Sequence, residues 1–197
     1  MIAAIVLAAG ASKRFGRQKL IERYLWKPIV RRAVEAAMAS GVDETIAVTG
    51  GDDRVRRAVE RTGARCVTNA AWESGMASTI ATGVAALAPG TQAALIVLGD
   101  QPTVSPRAYR AVLDAYRAQG AAIVVPVYWW KTRGHPVLFD ASVFPELLAL
   151  SGDHGARDAI QRDPTRVLEV RVRRPAPPDV DTTRDAASLM NLLHLIQ

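Results

Sequence analysis

The chain has 197 residues, 49% of them apolar, and a formal net charge of +6 from 25 Lys plus Arg against 19 Asp plus Glu. That mix excludes a disordered polypeptide and predicts a single domain over residues 1–197, since domains run to roughly 100–200 residues. The single cysteine, Cys66, excludes an intramolecular disulfide, and no apolar run approaches the ~20 residues that span a membrane.

The first predicted element is a strand, Ala3–Leu7, within an apolar run that stops at Gly10. The run is short, has no cation before it and is followed by charge. It reads as a core strand, not a signal segment, and the expected compartment is the cytoplasm. Lys13, Arg14, Arg17 and Lys19 follow Gly10. Glycine and alanine let backbone N–H groups approach an anion, and cations neutralise it, so this is a candidate polyphosphate cradle. It is not a P-loop, because five residues separate Gly10 from Gly16 and Arg17-Gln18 come next. It is not a dinucleotide fingerprint either, because Ala11-Ser12 follow Gly10 directly.

A helix is predicted over Pro28–Ser40, with Gly41 after its end. Thr45–Thr49 is a β-branched strand closed by Gly50-Gly51, and Asp52 caps a helix reaching Thr62. Its cations Arg54, Arg56, Arg57 and Arg61 are typical of the chain's dispersed charge, which argues against a nucleic-acid partner. Arg65–Val67 is read as a short buried strand, with Cys66 as a small core side chain. Gly75–Leu87 reads as a helix with Met76, Ile80, Val84 and Leu87 on one face, and Ala93–Leu98 as an apolar strand. Ser105 caps a helix over Pro106–Ala118, ended by Gly120. Strands follow at Ala121–Val125 and Pro136–Phe139, helices at Ser142–Leu150 and His154–Arg162, a strand at Leu168–Val172 and a helix at Thr183–Leu195. Apolar strands alternating with amphipathic helices predict an α/β fold with a mostly parallel sheet covered on both faces. Such sheets bind ligands beyond the carboxyl ends of their strands.

Candidate chemistry lies at those ends. Asp100 follows the strand Ala93–Leu98, with Gly99 permitting a tight approach. Asp179 and Asp181 lie in a second acidic segment, Pro178–Thr183. Carboxylate oxygens suit Mg²⁺, which takes one or two of them plus substrate phosphates. The structural alternative makes Asp100 a turn residue and Asp181 the N-cap of the last helix. Gly75 opens a helix whose N–H groups could read a base with the Ser78 hydroxyl, or Ser78 could simply be solvated. Tyr128, Trp129 and Trp130 could stack on a flat ring or form a partner patch.

The motif L-A-A-G-x-S-x-R-x-G-x-x-K, here Leu7-Ala8-Ala9-Gly10, Ser12, Arg14, Gly16 and Lys19, resembles the signature of MobA-like nucleotidyltransferases. Ala9, where the guanylyl-transferring branch usually has glycine, resembles the cytidylyl-transferring branch. Gly99-Asp100-Gln101-Pro102 resembles the family's metal-binding turn, and Asp179-Val180-Asp181-Thr182 its late acidic motif. Arg133-Gly134-His135-Pro136 and Gly152-Asp153-His154-Gly155-Ala156-Arg157 resemble motifs of the molybdenum-cofactor cytidylyltransferase branch. One departure is Thr183-Arg184, where the family commonly has Pro and an acid.

The resemblance spans nearly the whole chain. It implies a three-layer αβα Rossmann-like nucleotide-diphospho-sugar transferase fold, with nucleotide binding over roughly residues 1–105 and acceptor binding over roughly 106–197. It implies that CTP and the molybdenum cofactor (molybdopterin) are substrates and Mg²⁺ the cofactor. Arg14, Lys19 and Asp100 would act in catalysis. Leu7, Ala8, Ala9, Gly10, Gly75 and Ser78 would join them in nucleotide binding. Asp100 and Asp181 would hold the metal, and Gly134, His135, Pro136 and Asp153 the acceptor. A molybdenum hydroxylase or its chaperone could be a transient partner. The rivals are a different nucleotide or phosphate acceptor, a non-catalytic carrier of the finished cofactor, and a nucleotide-dependent oxidoreductase, for which no nicotinamide fingerprint is present.

Overall fold

The computed structural model describes residues 1–12, 15–153, 155–182 and 184–185. In chain order the elements are β1 (Ile2–Ala8), a short hairpin of β2 (Arg23–Tyr24) and β3 (Lys27–Pro28), α1 (Ile29–Met38), β4 (Glu44–Thr49), α2 (Asp53–Glu60), β5 (Arg65–Thr68) and α3 (Met76–Ala85). Then come β6 (Ala93–Leu98), α4 (Pro106–Gln119), β7 (Ile123–Val127), β8 (Val137–Asp140), α5 (Phe144–Leu148), α6 (Arg157–Arg162) and β9 (Val167–Arg171). The helix predicted over Thr183–Leu195 lies outside the described residues except at 184–185, and so does His154.

The main sheet has seven strands in the order β5-β4-β1-β6-β8-β7-β9. β8 pairs antiparallel with β6 and β7, and the other pairings are parallel. This is the nucleotide-diphospho-sugar transferase fold that the resemblance implied. All seven residues of β1 are buried, because the strand is covered on both faces. Alternation then sorts its side chains. Ala4 and Val6 join the core formed with Val30 and Val34 of α1, Val59 of α2 and Leu113 of α4. Ile5 and Leu7 join the opposite core, with Ile80 and Val84 of α3 and Leu147 of α5. The result is three layers, α/β/α.

From β1 the order runs one way through β4 and β5 and the other way through β6. The switch point therefore lies between β1 and β6, where Leu7 is in register with Leu98. Gly99 is required there. A side chain on it would place Cβ 2.7 Å from the Leu7 carbonyl oxygen, and its own N–H donates to that oxygen at 3.0 Å. The next residue, Asp100, is thereby held at the mouth of the crevice.

Several expectations need correction. The strand predicted at Pro136–Phe139 is reversed relative to its neighbours, since it follows β7 through the loop 128–136 and not through a helical crossover. β5 is an edge strand, and Cys66 on it is half-buried, with its thiol 3.7 Å from the Thr49 hydroxyl. The β2–β3 hairpin was not foreseen, because Leu25 and Trp26 turn the chain at φ 50° and 69° without a glycine or asparagine to announce it. Asp52 and Ser105 cap α2 and α4 as predicted, and Gly120 ends α4 at φ 62°. No helix among the described residues is long and apolar enough to cross a membrane.

Candidate active site

A cleft of about 740 Å³ opens beyond the carboxyl ends of β1 and β6. One wall is the loop after β1, with Ala9, Gly10, Ser12 and Lys19, and the opposite wall is the start of α3, with Gly75, Met76 and Thr79. Its acidic end carries Asp100, Asp179 and Asp181. Of the residues expected to bind nucleotide, Leu7, Ala9, Gly10, Lys19, Gly75 and Asp100 all line this cleft, whereas Ala8 faces an adjoining one of about 620 Å³. Arg14 lies outside the described residues.

Two polar side chains, Ser12 and Gln18, tie together the described residues of the loop after β1. The Ser12 hydroxyl donates to Gln18 Oε1 at 2.8 Å and accepts from the Lys19 backbone N–H at 3.1 Å. The Gln18 amide in turn donates to the Gly10 carbonyl at 3.3 Å. The buried Leu20 pins the short 3₁₀ turn Lys19–Ile21 to the core. These contacts fix the Lys19 backbone and aim its side chain at the acidic end. Arg17 does not join it, since its guanidinium pairs with Glu22 at 2.8 Å.

Lys19 Nζ donates to Asp100 Oδ2 at 2.6 Å and to Asp181 Oδ1 at 3.0 Å. Burial opposes the ammonium charge, but Asp100 and then Asp181 outweigh it and raise the Lys19 pKa above its ordinary value. The segment bearing Asp181 is fastened to the Asp100 turn twice. Val180 N–H donates to the Asp100 carbonyl at 3.3 Å, and Gln101 Nε2 donates to Asp179 Oδ1 at 2.6 Å. Burial first, then the charges of Asp100 and Asp181, push the Asp179 carboxyl above the usual range. Among the described residues, Thr182 and Asp185 form a capping pair. Thr182 Oγ1 accepts from Asp185 N–H at 3.2 Å, and Asp185 Oδ2 accepts from Thr182 N–H at 2.7 Å, a reciprocal box that leaves the Asp181 side chain turned to Lys19.

At the other wall the expected base-reading group is engaged otherwise. Ser78 does not line the cleft. Its hydroxyl accepts from Asn69 Nδ2 at 2.8 Å and is 2.8 Å from the Gly75 carbonyl, so it ties the 69–75 loop to α3. Thr79 lines the cleft in its place. The α3 N-terminus is not wholly free either, because Ala77 N–H donates to the Gly152 carbonyl at 3.1 Å. Gly75 is needed at this contact. It has φ 113°, and a Cβ on it would lie 2.5 Å from Asp153 Oδ1. Asp153, expected at the acceptor, therefore sits against the α3 start and lines the same cleft.

Gly134, His135 and Pro136 line neither cleft. Burial pushes the His135 imidazole down to about 4, against a smaller opposing pull from the Asp100 charge, so the ring is neutral at neutral pH. Tyr128 is not available to stack on a ligand, being buried with its hydroxyl donating to the His135 carbonyl. Trp129 and Trp130 are exposed and meet edge to face at 6.0 Å.

Five carboxylates, those of Glu73, Asp100, Asp153, Asp179 and Asp181, line the main cleft. Lys19 is the single cation among its described lining residues. No group of three or more His, Cys, Asp and Glu among the described residues is arranged to hold a metal by itself. Two hard oxygen donors converging on one point do fit a Mg²⁺-type ion that completes its shell with substrate phosphates.

Residues 4–167 match the model of the MobA-like NTP transferase domain. The chain is 32% identical over 170 residues to nicotine blue oxidoreductase of Paenarthrobacter nicotinovorans, covering 83% of each. Its fold is similar to that of Rv0371c from Mycobacterium tuberculosis H37Rv, with TM-score 0.86, 32% identity and 97% and 98% of the two chains covered. A manganese complex of Rv0371c superposes at TM-score 0.82 and 30% identity, over 96% of this chain and 98% of that one. CMP:2-keto-3-deoxy-manno-octonic acid synthetase complexed with CTP shares the fold at TM-score 0.77 and 15% identity, over 100% of this chain and 99% of that one. By that family match and these likenesses, the chain belongs to the MobA-like NTP transferase domain family of nucleotidyltransferases.

Proposed function

We propose that this protein transfers CMP from CTP to the terminal phosphate of the molybdenum cofactor. A phosphate oxygen of the acceptor attacks the α-phosphorus of CTP, the bond to the β-phosphate oxygen breaks, and pyrophosphate leaves. The observation that carries the reading is the convergence of Asp100, Asp181 and Lys19 at the switch point, beside the Gly10 loop. A phosphate monoester is largely ionised at neutral pH, so the nucleophile needs no strong base. The barrier is repulsion between two anions, and positioning with charge neutralisation lowers it. Mg²⁺ held by Asp100 and Asp181 would neutralise charge on the α-phosphate and the attacking oxygen. Lys19 then holds the phosphates and steadies the departing pyrophosphate, with Arg14 in the same role. Gly10 and Ala9 let the triphosphate approach the backbone. Gly75 and Thr79 face the base, and Gly134, His135 and Pro136 serve the acceptor side, where His135 is held neutral beside the charge of Asp100. The manganese complex of Rv0371c supports a divalent ion, and Ala9 together with the Arg133–Pro136 motif supports the cytidylyl reading.

The test is incubation with labelled CTP, GTP and ATP, each with and without molybdenum cofactor. The expected result is acceptor-dependent pyrophosphate release with CTP alone. Release with GTP in preference would assign the guanylyl reaction, and no release with any nucleotide would favour a carrier. The name of the 32% identical relative favours a second reading, hydride transfer. Oxidation of NADH or NADPH by a redox dye, dependent on this protein, would support it, although Gly10-Ala11-Ser12 lacks the glycine spacing of a dinucleotide turn.

A further inference from the structure

The contact of Lys19 with Asp100 and Asp181 bears on how the site fills, an inference that rests on the reading just given. Nζ lies 2.6 Å from Asp100 and 3.0 Å from Asp181, in the gap between the two oxygens. An ion bridging those oxygens at the ~2.1 Å typical of Mg²⁺ would claim the same space. Two cations sharing it would also repel strongly at that separation. The Lys19 ammonium therefore has to leave before the carboxylates can share a metal. Its backbone cannot follow, because Ser12 Oγ and the buried Leu20 hold it, so only the four-carbon stem swings. A partner for the displaced ammonium must be anionic. Among the described residues, the other charged groups lining this cleft are the carboxylates of Glu73, Asp153 and Asp179, and these repel a bare polyphosphate.

We propose that Lys19 is an exchangeable internal counter-ion. It keeps free divalent metal off Asp100 and Asp181 until a polyphosphate arrives to take the ammonium, so metal and nucleotide enter as one complex. Lys19 moves from carboxylates to phosphates as the metal takes its place. By reciprocity, nucleotide tightens metal binding by the same factor that metal tightens nucleotide binding.

The test uses Mn²⁺ as probe and water-proton relaxation enhancement, which separates free from protein-bound ion, with no acceptor and no turnover. Wild type and Lys19→Met are titrated with Mn²⁺ alone, then with CTP, GTP or tripolyphosphate present. The expected result is that Lys19→Met binds Mn²⁺ alone about tenfold or more tighter than wild type. Polyphosphate should tighten Mn²⁺ binding to wild type by a similar factor and to Lys19→Met much less. Equal or weaker binding of Mn²⁺ by a folded Lys19→Met, checked by its melting curve, would overturn the proposal. Should that variant not fold, wild type decides: Mn²⁺ bound as tightly without polyphosphate as with it overturns the exchange. Tightening by GTP or tripolyphosphate but not by CTP supports the exchange while contradicting the cytidylyl reading.

Discussion

At Lys19 one side chain is asked to serve two sets of anions, and its substitution separates them. Lys19→Ala should cost on the order of 2–4 kcal/mol of transition-state stabilisation, the scale for one preorganised electrostatic donor. Steady-state kinetics of pyrophosphate release would check this, and a change below about tenfold would mean the ammonium does not act on the phosphates. Gln101 offers a second test of positioning. Its amide holds Asp179, and through that segment Asp181, against the Asp100 turn. Gln101→Leu should raise the metal concentration needed for half-maximal rate several-fold while leaving the rate at saturating metal near normal. An equal fall in rate at all metal concentrations would contradict a positioning role. The sequence made Asp100, Lys19, Gly10 and Gly75 legible, because each sits at a strand end or a required glycine. It did not make Gln18 or Thr79 legible as neighbours of the site, nor the contact of Asp153 with the start of α3. Their roles come from loop closure between residues far apart in sequence, and no local spacing announces it.

Among the elements, α3 is seated directly on the sheet at Gly83. A Cβ there would lie 2.4 Å from Ile5 Cγ2 of β1. Gly83→Ala should therefore push the helix outward at a cost of roughly 1–3 kcal/mol, the range for overpacking a close-packed core. Thermal unfolding would show a lowered midpoint, and an unchanged midpoint would mean that Ile5 yields freely. Helix and strand order was readable from apolar periodicity and caps, as Asp52, Ser105 and Gly120 show. The reversal of β8 and the β2–β3 hairpin were not, since the first depends on which neighbour a short apolar run finds. The second depends on non-glycine residues adopting positive φ.

The whole molecule should also respond to pH through His135. Its folded pKa of about 4 lies below the ordinary value of 6.5. Below pH 6.5 the unfolded chain takes up the proton and the folded protein does not, so stability is full above that pH and falls as pH drops towards 4. The loss should be of the order of 1–3 kcal/mol for this half-buried ring, at about 1.4 kcal/mol per pKa unit. Urea unfolding at a series of pH values would show the slope, and His135→Gln should flatten it; an unaltered slope would place the proton elsewhere. On the same scale, the architecture puts Lys19, Asp100 and Asp181 at the carboxyl edge of one sheet, with the acidic segments that follow β6 and β9 joined by Lys19 from the loop after β1. The measurement that probes this arrangement most directly is release of pyrophosphate from CTP plus molybdenum cofactor by wild type and Asp100→Asn, with Mg²⁺ varied. The account predicts metal-dependent release by wild type and loss of most of it in a folded Asp100→Asn. Near-normal, metal-dependent turnover by that variant would contradict it.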